Sequence, residues 1–145
     1  MTVLLAVEQV NAYFGDKQVL FGVDVAVAAG QKVAIVGESG SGKTVLAQGI
    51  MRLNPDVRLN GRMVYQEQDL LAMPEKQLAK IRGRDIGMVF QEPMTALNPV
   101  YTVGNQIAEV YTQHLGLTHK QAWKAATDIL QETGIQDAAT KVKAY

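Results

Sequence analysis

Two stretches near the start of the chain have the apolar spacing of β-strands. Residues 3–10 form an apolar segment with strand propensity, and the Gly15-Asp16 pair shortly after it is typical of a turn. Residues 19–27 carry valines at alternate positions, which is the period of two that a half-buried strand shows. A second turn is indicated at residues 29–31. The pattern therefore predicts a small antiparallel β piece at the beginning of the fold.

Two shorter runs are apolar along almost their whole length. They are residues 32–36, Lys-Val-Ala-Ile-Val, and residues 86–90, Ile-Gly-Met-Val-Phe. Continuous apolar runs of this length are typical of strands that are buried on both faces of a parallel sheet. We therefore predict that both runs are buried parallel strands of an α/β core.

Apolar residues at helical spacing predict four helices. Three of them cover residues 44–51, 74–81 and 102–114. The fourth begins at Thr118, which can form a capping box with Gln121. The apolar stripe of the third helix comprises Val103, Ile107, Val110 and Tyr111. The buried face of the fourth, interpreted as core rather than as a cofactor site, comprises Ala122, Trp123, Ala126, Ile129 and Leu130.

The segment between the first two predicted helices contains strong turn signals. Pro55 prevents the first helix from continuing. The Asn60-Gly61 pair is typical of a tight hairpin turn. Residues 62–66 after it are predicted to form a short strand.

Composition and charge narrow the class of protein. With 145 residues and 48% hydrophobic content, the chain is long enough for one domain with a core. The formal net charge is +0, so bulk electrostatics favour neither nucleic acid nor an anionic membrane as a partner. The absence of cysteine excludes disulfides and thiolate metal sites. His114 and His119 have no carboxylate at ligand spacing, so we interpret them as surface residues.

Residues 37–44, Gly-Glu-Ser-Gly-Ser-Gly-Lys-Thr, match the phosphate-binding pattern G-x-x-x-x-G-K-[ST] at every fixed position. In such a loop the backbone N–H groups surround the phosphates of a nucleotide, and glycines allow the close approach. Lys43 would supply a positive charge for the β- and γ-phosphates, and Thr44 a hydroxyl for Mg²⁺. The predicted nucleotide-binding residues are Gly37, Glu38, Ser39, Gly40, Ser41, Gly42, Lys43, Thr44 and Val45.

Two neighbouring aromatic residues, Tyr13 and Phe14, allow two interpretations. An exposed aromatic ring near a nucleotide site can stack on adenine. Alternatively, one or both rings pack at the edge of the sheet. The residue types alone leave both interpretations open.

Gln91 and Glu92 directly follow the apolar run at residues 86–90. Ligands of open α/β sheets bind just outside the carboxyl ends of the strands, so a polar pair at this place is suited to chemistry. The alternative is that both residues are simply solvated at the start of a loop. Their position alone does not decide between the two.

These motifs together carry a resemblance to a known family. The chain resembles the ATP-binding subunits of ABC transporters, most closely those of oligopeptide, dipeptide and nickel importers. Residues 89–99, Val-Phe-Gln-Glu-Pro-Met-Thr-Ala-Leu-Asn-Pro, are similar to that group's Q-loop region almost residue for residue. Residues 101–107 continue the match, and the resemblance covers the whole chain.

The resemblance implies an α/β fold: a partial, RecA-like P-loop NTPase core with an N-terminal antiparallel β piece and the start of an α-helical subdomain. Residues 1–92 would form the β-subdomain and P-loop core of a partial nucleotide-binding domain. Residues 93–145 would form the Q-loop and the start of the helical subdomain. In the family this helical part docks on the coupling helices of the permease, which would explain the apolar side chains of residues 93–99.

The resemblance also implies roles for single residues. Gln91 matches the Q-loop glutamine, a catalytic position that in the family contacts Mg²⁺ and the attacking water and shifts with the transmembrane partner. Phe14, directly before Gly15, matches the aromatic position that stacks on adenine, which favours Phe14 over Tyr13. ATP and Mg²⁺ are the implied cofactors, with Thr44 and Gln91 at the metal.

The implied function is that of an ATPase that couples ATP binding and hydrolysis to the uptake of peptides or a related small solute. The implied partners are transmembrane permease subunits, a second ATPase subunit in a homo- or heterodimer, and indirectly a solute-binding protein, with no nucleic acid. The implied location is cytoplasmic, peripheral on the cytoplasmic face of the inner or plasma membrane through the permease. The sequence leaves the solute open among oligopeptides, dipeptides, nickel and glutathione-like compounds.

The chain departs from the family's pattern in three respects. It contains no Leu-Ser-Gly-Gly signature, no run of four apolar residues ending in Asp-Glu, and no histidine in the region of the family's switch histidine. Residues 143–145, Lys-Ala-Tyr, resemble what the family has just upstream of its signature. We therefore expect an N-terminal part of such a subunit, which binds nucleotide but does not hydrolyse it appreciably by itself.

Two other classes of protein share some of these features. A P-loop kinase or GTPase would need an Asn-Lys-x-Asp motif or an arginine-rich lid, and neither is present. A non-catalytic module that docks on a permease is compatible with the missing catalytic motifs. An ATP-driven importer subunit, or a part of one, is the leading prediction.

Overall fold

The computed structural model describes residues 2–92 and 96–145. The chain divides into two compact units, residues 1–82 and residues 83–145. Among the described residues, no helix is both long and apolar enough to cross a membrane. The combination of an antiparallel sheet with helices confirms the α/β class that the sequence predicts.

The first unit is built on a four-stranded antiparallel sheet. Its strands are β1 (Val3–Phe14), β2 (Lys17–Ala28), β3 (Val57–Tyr65) and β4 (Gln68–Asp69), and their order across the sheet is β2-β1-β3-β4. The predicted turns at Gly15-Asp16 and at residues 29–31 lie at the two ends of β2. The alternating valines of β2 are half-buried between exposed neighbours. The predicted antiparallel piece at the start of the fold is confirmed.

The Asn60-Gly61 pair is not a hairpin turn, and this prediction is wrong. β3 runs through both residues, and residues 62–66, predicted as a separate strand, largely belong to its second half. The register between β1 and β3 shifts between Glu8 and Asn11, which is a β-bulge. Gly61 has φ +109°, and a Cβ there would lie 2.5 Å from the Gln9 carbonyl oxygen. Gly61 therefore allows β3 to approach β1 closely and does not change the direction of the chain.

Two helices of the first unit match the predicted helical periodicity. They are α1 (Lys43–Ile50) and α2 (Glu75–Ile81), and Pro74 stands at the N-cap of α2. α1 packs on the sheet because Gly49 lies close to the side chains of Leu59 and Met63 in β3. α2 buries Leu78 and Ile81. The core of this unit thus lies between the sheet and the helices.

The two continuous apolar runs are not the buried parallel strands that the sequence predicts. Within the described part of the chain, residues 32–36 and 87–90 form no strand. Val36 is 88% exposed and Val89 is 93% exposed. A parallel strand of this composition needs neighbouring strands for its backbone and packed elements on its faces. The described residues supply neither, so the runs remain unpaired.

The second unit is a small helical assembly. It contains α3 (Val103–Leu115), α4 (His119–Glu132) and α5 (Ala138–Lys141). The sequence analysis did not predict α5, which nevertheless contributes Ala138 to the core. The buried core residues are Ala108, Ala122, Ala126, Leu130, Ala138 and Val142. Most of the predicted stripe of α3 packs against this core, but Val110 is exposed.

Specific residues fix the helix ends of the second unit, among them one cap that the sequence predicts. The Thr118 hydroxyl and the Gln121 side chain form the predicted capping box at the start of α4. Gly134 follows the end of α4 with φ +83°, as expected for a glycine that terminates a helix. Gly104 at the start of α3 donates its backbone N–H to the carbonyl oxygen of Val142, at 2.8 Å. These contacts fix the C-terminal residues against α3.

Candidate nucleotide-binding site

The predicted phosphate loop leads directly into α1. A turn covers residues 39–40, and the Ser41 backbone N–H donates to the Glu38 carbonyl oxygen at 3.2 Å. The helix begins at Lys43, and the Leu46 N–H donates to the Gly42 carbonyl oxygen at 2.9 Å. The loop-to-helix junction that the sequence predicts is therefore present.

The ammonium group of Lys43 lies among oxygen atoms of its own loop. Its Nζ donates to the carbonyl oxygens of Gly37 at 2.9 Å and Glu38 at 2.7 Å, and to the Ser41 hydroxyl at 3.2 Å. A lysine ammonium has three N–H donors, so all of them are used. The charge is thus placed across the mouth of the loop, where an incoming phosphate oxygen could replace a loop oxygen as acceptor.

Gly42 occupies a position in the loop that only glycine can take without strain. It stands at the N-cap of α1 in the left-handed conformation, with φ +90°. A Cβ at this position would lie 2.5 Å from Leu20 Cδ2 and 3.2 Å from the Val19 carbonyl oxygen. Any larger residue would therefore be strained both in its backbone and against β2.

The N-terminal end of α1 suits an anion. No described side chain caps this end, and the first turn contains no acidic residue. The uncapped N–H groups and the positive end of the helix dipole both favour a bound phosphate. Thr44 is exposed in the same turn, so its hydroxyl is accessible to a hard cation such as Mg²⁺. The residues present therefore fit a nucleotide with its metal ion.

A shallow depression of about 170 Å³ adjoins the loop, and it includes one residue that the sequence analysis missed. It is lined by Gly40, Gly42, Lys43, Thr44, Val45 and Val19. Val19 belongs to β2, far from the motif in the sequence. A valine in an alternating strand gives no sign of contact with a distant loop. The structure thus places five of the predicted phosphate-loop residues around one depression beside β2.

The two aromatic candidates differ in their surroundings. The guanidinium carbon of Arg58 lies 4.9 Å from the centre of the Tyr13 ring, which is a cation–π contact. One face of the Tyr13 ring is therefore covered by Arg58. Phe14 is 38% exposed at the end of β1. It pairs with Val57 of β3, and paired residues point to the same face of a sheet. Val57 of β3 and Gly49 of α1 line the same cleft, so Val57 lies on the face of the sheet that α1 covers. Phe14, its paired residue, therefore lies on that face too.

Gln91 belongs to the second unit, residues 83–145, where its side chain is exposed. Glu92 beside it is also exposed. Pro93, Met94 and Thr95 of the predicted apolar loop lie outside the described residues. The phosphate loop, Thr44, Val45 and Phe14 all belong to the first unit.

Comparison with known families agrees with this geometry. Residues 20–145 match the ABC transporter family, which is most of the chain. The match includes the whole phosphate loop, α1 and all three helices of the second unit.

Several relatives are similar over most of the chain. A peptide import ATP-binding protein of Brucella abortus is 46% identical over 132 residues, which cover 85% of this chain and 39% of the relative. In Bacillus subtilis, an oligopeptide transport ATP-binding protein is 39% identical, covering 100% of this chain and 46% of the relative. A dipeptide transport ATP-binding protein of the same organism is 41% identical, covering 93% and 41%. The chain spans less than half the length of these relatives. Because the family match extends over most of its residues, the chain belongs to the ABC transporter family.

Proposed function

We propose that this chain is the ATP-binding component of an ABC importer that couples ATP binding and hydrolysis to the uptake of peptides or a related small solute. The observation that carries the proposal is the Lys43 ammonium group, placed among loop oxygens at the uncapped N-terminus of α1. Relatives named for peptide, oligopeptide and dipeptide transport support the solute class.

ATP and Mg²⁺ are the proposed cofactors. The loop N–H groups of residues 37–45 and the Lys43 ammonium group would bind the phosphates. The Thr44 hydroxyl and the Gln91 side-chain oxygen would bind Mg²⁺. The metal ion, when bound, neutralises negative charge on the phosphates. Phe14 would stack on the adenine ring, because it is exposed on the face of the sheet that α1 covers whereas the Tyr13 ring contacts Arg58.

These 145 residues alone are proposed to bind ATP without appreciable turnover. Phosphoryl transfer requires positioned phosphates, compensation of their charge and an oriented attacking water. The phosphate loop and Thr44 supply the first two, and Gln91 would contact the water. The sequence contains no apolar run ending in Asp-Glu that would supply a carboxylate to activate it. We propose that hydrolysis belongs to an assembly with a second ATPase subunit.

The second unit is proposed to dock on transmembrane permease subunits, at the cytoplasmic face of the membrane. The Gln106 side chain orders the loop before α3, because it bonds the backbone of Asn98 at 2.8 and 2.9 Å and of Tyr101 at 2.9 Å. This loop presents apolar side chains to solvent, namely Leu97, Val100 and Tyr101. An ordered apolar surface of this kind is suited to a protein partner. We propose that the boundary between the P-loop core and the helical subdomain lies between residues 92 and 93. A solute-binding protein is proposed as an indirect partner.

The proposal is tested by calorimetric titration of the purified chain with Mg-ATP. Lys43→Ala removes the charge at the loop, and Lys32→Ala is the matched control because it removes an exposed lysine outside the loop. We expect saturable binding by the wild type and by Lys32→Ala, at least about tenfold weaker binding by Lys43→Ala, and no phosphate release above the Lys43→Ala background. Equal binding by all three chains would refute the phosphate-loop assignment. Sustained phosphate release by the wild type would refute the claim of no turnover.

A further inference from the structure

Two arginines connect the C-terminal end of α1 with the two ends of α2 through hydrogen bonds to backbone carbonyl oxygens. Arg82 directly follows α2, and it donates from Nε to the Met51 carbonyl oxygen at 2.7 Å and from Nη2 to the Arg52 carbonyl oxygen at 3.1 Å. In return, Arg52 Nη1 donates to the carbonyl oxygens of Leu70 at 3.2 Å and Met73 at 2.6 Å, just before α2. Arg82 thus binds the backbone at the end of α1, and Arg52 binds the backbone that precedes α2.

Glu75, the first residue of α2, joins the two guanidinium groups. Its carboxylate accepts a hydrogen bond from Arg82 Nη1, and its Oε2 lies 3.9 Å from Arg52 Nη2. The arginine side chains are 31% and 23% exposed, whereas Glu75 is 62% exposed, so solvent screens the two ion pairs and the arginine bonds to backbone oxygens are the more protected contacts. Arg82 is also a cation at the negative end of the α1 dipole, which is the favourable arrangement. A planar guanidinium fork can bind several acceptors at fixed angles, which a lysine cannot do.

Arg52 has a backbone conformation that favours glycine, which indicates that its side chain contributes to the structure. Arg52 directly follows the last turn of α1 with φ +48°, in the left-handed region where glycine is the usual residue. Its N–H donates to the Gly49 carbonyl oxygen at 3.0 Å, and the Leu53 N–H donates to that of Gln48 at 3.1 Å. Glycine would form this helix end with less strain. What an arginine adds here is the guanidinium group.

Apart from these contacts, α1 is held by its two buried residues and, at the loop end, by the close approach of Gly42 to β2. It contains 8 residues, of which Leu46 and Gly49 are buried. A helix of this length spans about 12 Å. Because Leu46 lies near its middle, a pivot about the buried residues would displace both ends of the helix. The contacts at Met51 and Arg52 therefore bear on the position of the phosphate loop at the other end.

We propose that Arg52, Glu75 and Arg82, the arginine clamp, are positioning residues that fix the orientation of α1 and thereby hold the phosphate loop ready for nucleotide. This inference rests on the proposed nucleotide-binding function of that loop. None of the three residues belongs to the loop itself. Their contribution lies in preorganisation, because small displacements of binding groups cost large factors in affinity.

Hydrogen exchange of the nucleotide-free 145-residue chain, measured by mass spectrometry, tests the clamp directly. The variants are Arg52→Gly, which relieves the backbone strain, and Arg82→Lys, which keeps the charge without the fork. Arg62→Ala is the matched control, because it breaks an exposed arginine–glutamate pair in the same unit, with Glu8 at 3.1 Å. The amides of residues 46–48 are the first in α1 that have an acceptor within the helix, beginning with Leu46 to Gly42. We expect their exchange to accelerate about tenfold in both clamp variants, with no change in the control.

Two results would overturn the clamp. One is unchanged exchange over residues 46–48 in Arg52→Gly. The other is equal acceleration over the whole β1–β2 hairpin, which would indicate general destabilisation instead of a loss of positioning. Thermal unfolding of Arg52→Gly should stay close to that of the wild type, because relief of strain offsets the lost bonds.

Titration with Mg-ATP separates the clamp from the function on which it rests. If the wild type binds Mg-ATP, we expect Arg52→Gly to bind about tenfold more weakly and Arg62→Ala to bind equally well. Equal affinity of Arg52→Gly and the wild type would contradict positioning. If the wild type shows no binding, the proposed function fails for this chain, while the exchange comparison without nucleotide still decides whether the clamp fixes α1.

Discussion

Replacing Gly42 by alanine tests whether the phosphate loop has the shape described above. At φ +90°, a residue with a Cβ costs about 1–2 kcal/mol of backbone strain. The new Cβ would also lie 2.5 Å from Cδ2 of Leu20, a side chain that is buried and cannot move away freely, and 3.2 Å from the Val19 carbonyl oxygen. Such overpacking costs about 1–3 kcal/mol. Gly42→Ala should therefore lower the free energy of unfolding by about 2–5 kcal/mol.

Gly40→Ala is the matched comparison in the same loop. Gly40 has φ +82°, but among the described residues no atom beyond its chain neighbours lies within 4 Å of the place where its Cβ would be. Its substitution should cost the backbone term alone, about 1–2 kcal/mol. Urea denaturation followed by far-ultraviolet circular dichroism measures both values. Equal costs for Gly40→Ala and Gly42→Ala would show that the contact between the loop and β2 does not exist, and would refute the described loop.

Three further predictions test the sheet, the adenine contact and a helix cap. Gly61→Ala should destabilise the chain by about 3–5 kcal/mol in urea denaturation, because the new Cβ would clash with the backbone of β1. Gly30→Ala is the control and should cost about 1–2 kcal/mol, because no described atom lies within 4 Å of its Cβ position. Phe14→Ala should weaken Mg-ATP binding in a calorimetric titration by roughly tenfold, and Tyr13→Ala should not; the reverse order would contradict the adenine assignment. Thr118→Ala should lower the free energy of unfolding by about 1 kcal/mol, followed through the fluorescence of the single tryptophan, and no change would contradict the capping box.

Features set by neighbouring residues could be predicted from the sequence. The phosphate loop and α1 follow from a motif in which every required group lies within about ten residues. The capping box at Thr118 needs a partner three positions away. The antiparallel start of the fold follows from alternating burial and from turn residues such as Gly15. In each case the residues that determine the structure are close together in the chain.

Features that depend on distant partners could not be predicted. Asn60-Gly61 has the chemistry of a hairpin turn, but Gly61 instead faces the bulge of β1, and only the identity of the facing strand decides between the two. The contact of Val19 with the phosphate loop and the bond from Arg82 to the Arg52 carbonyl oxygen join residues that are far apart in the sequence. Local spacing carries no trace of such contacts.

The two apolar runs illustrate a different limit. Their composition predicts burial, but a composition does not identify the elements that would cover the run. Within the described residues no strand pairs with residues 32–36 or 87–90, and Val36 and Val89 are exposed. The sequence pattern therefore predicts that both runs are buried, but the described residues provide no element that covers them.

The most direct test of the account is a titration of the ¹⁵N-labelled chain with Mg-ATP, followed by the backbone amide signals in NMR spectra. At 15.8 kDa the chain is small enough for every amide to be followed. If the loop binds the phosphates through its N–H groups, the amides of residues 38–45 should shift most and saturably, and the shifts should disappear in Lys43→Ala. Shifts that are largest elsewhere, or that persist unchanged in Lys43→Ala, would contradict the claim that this loop is the nucleotide site.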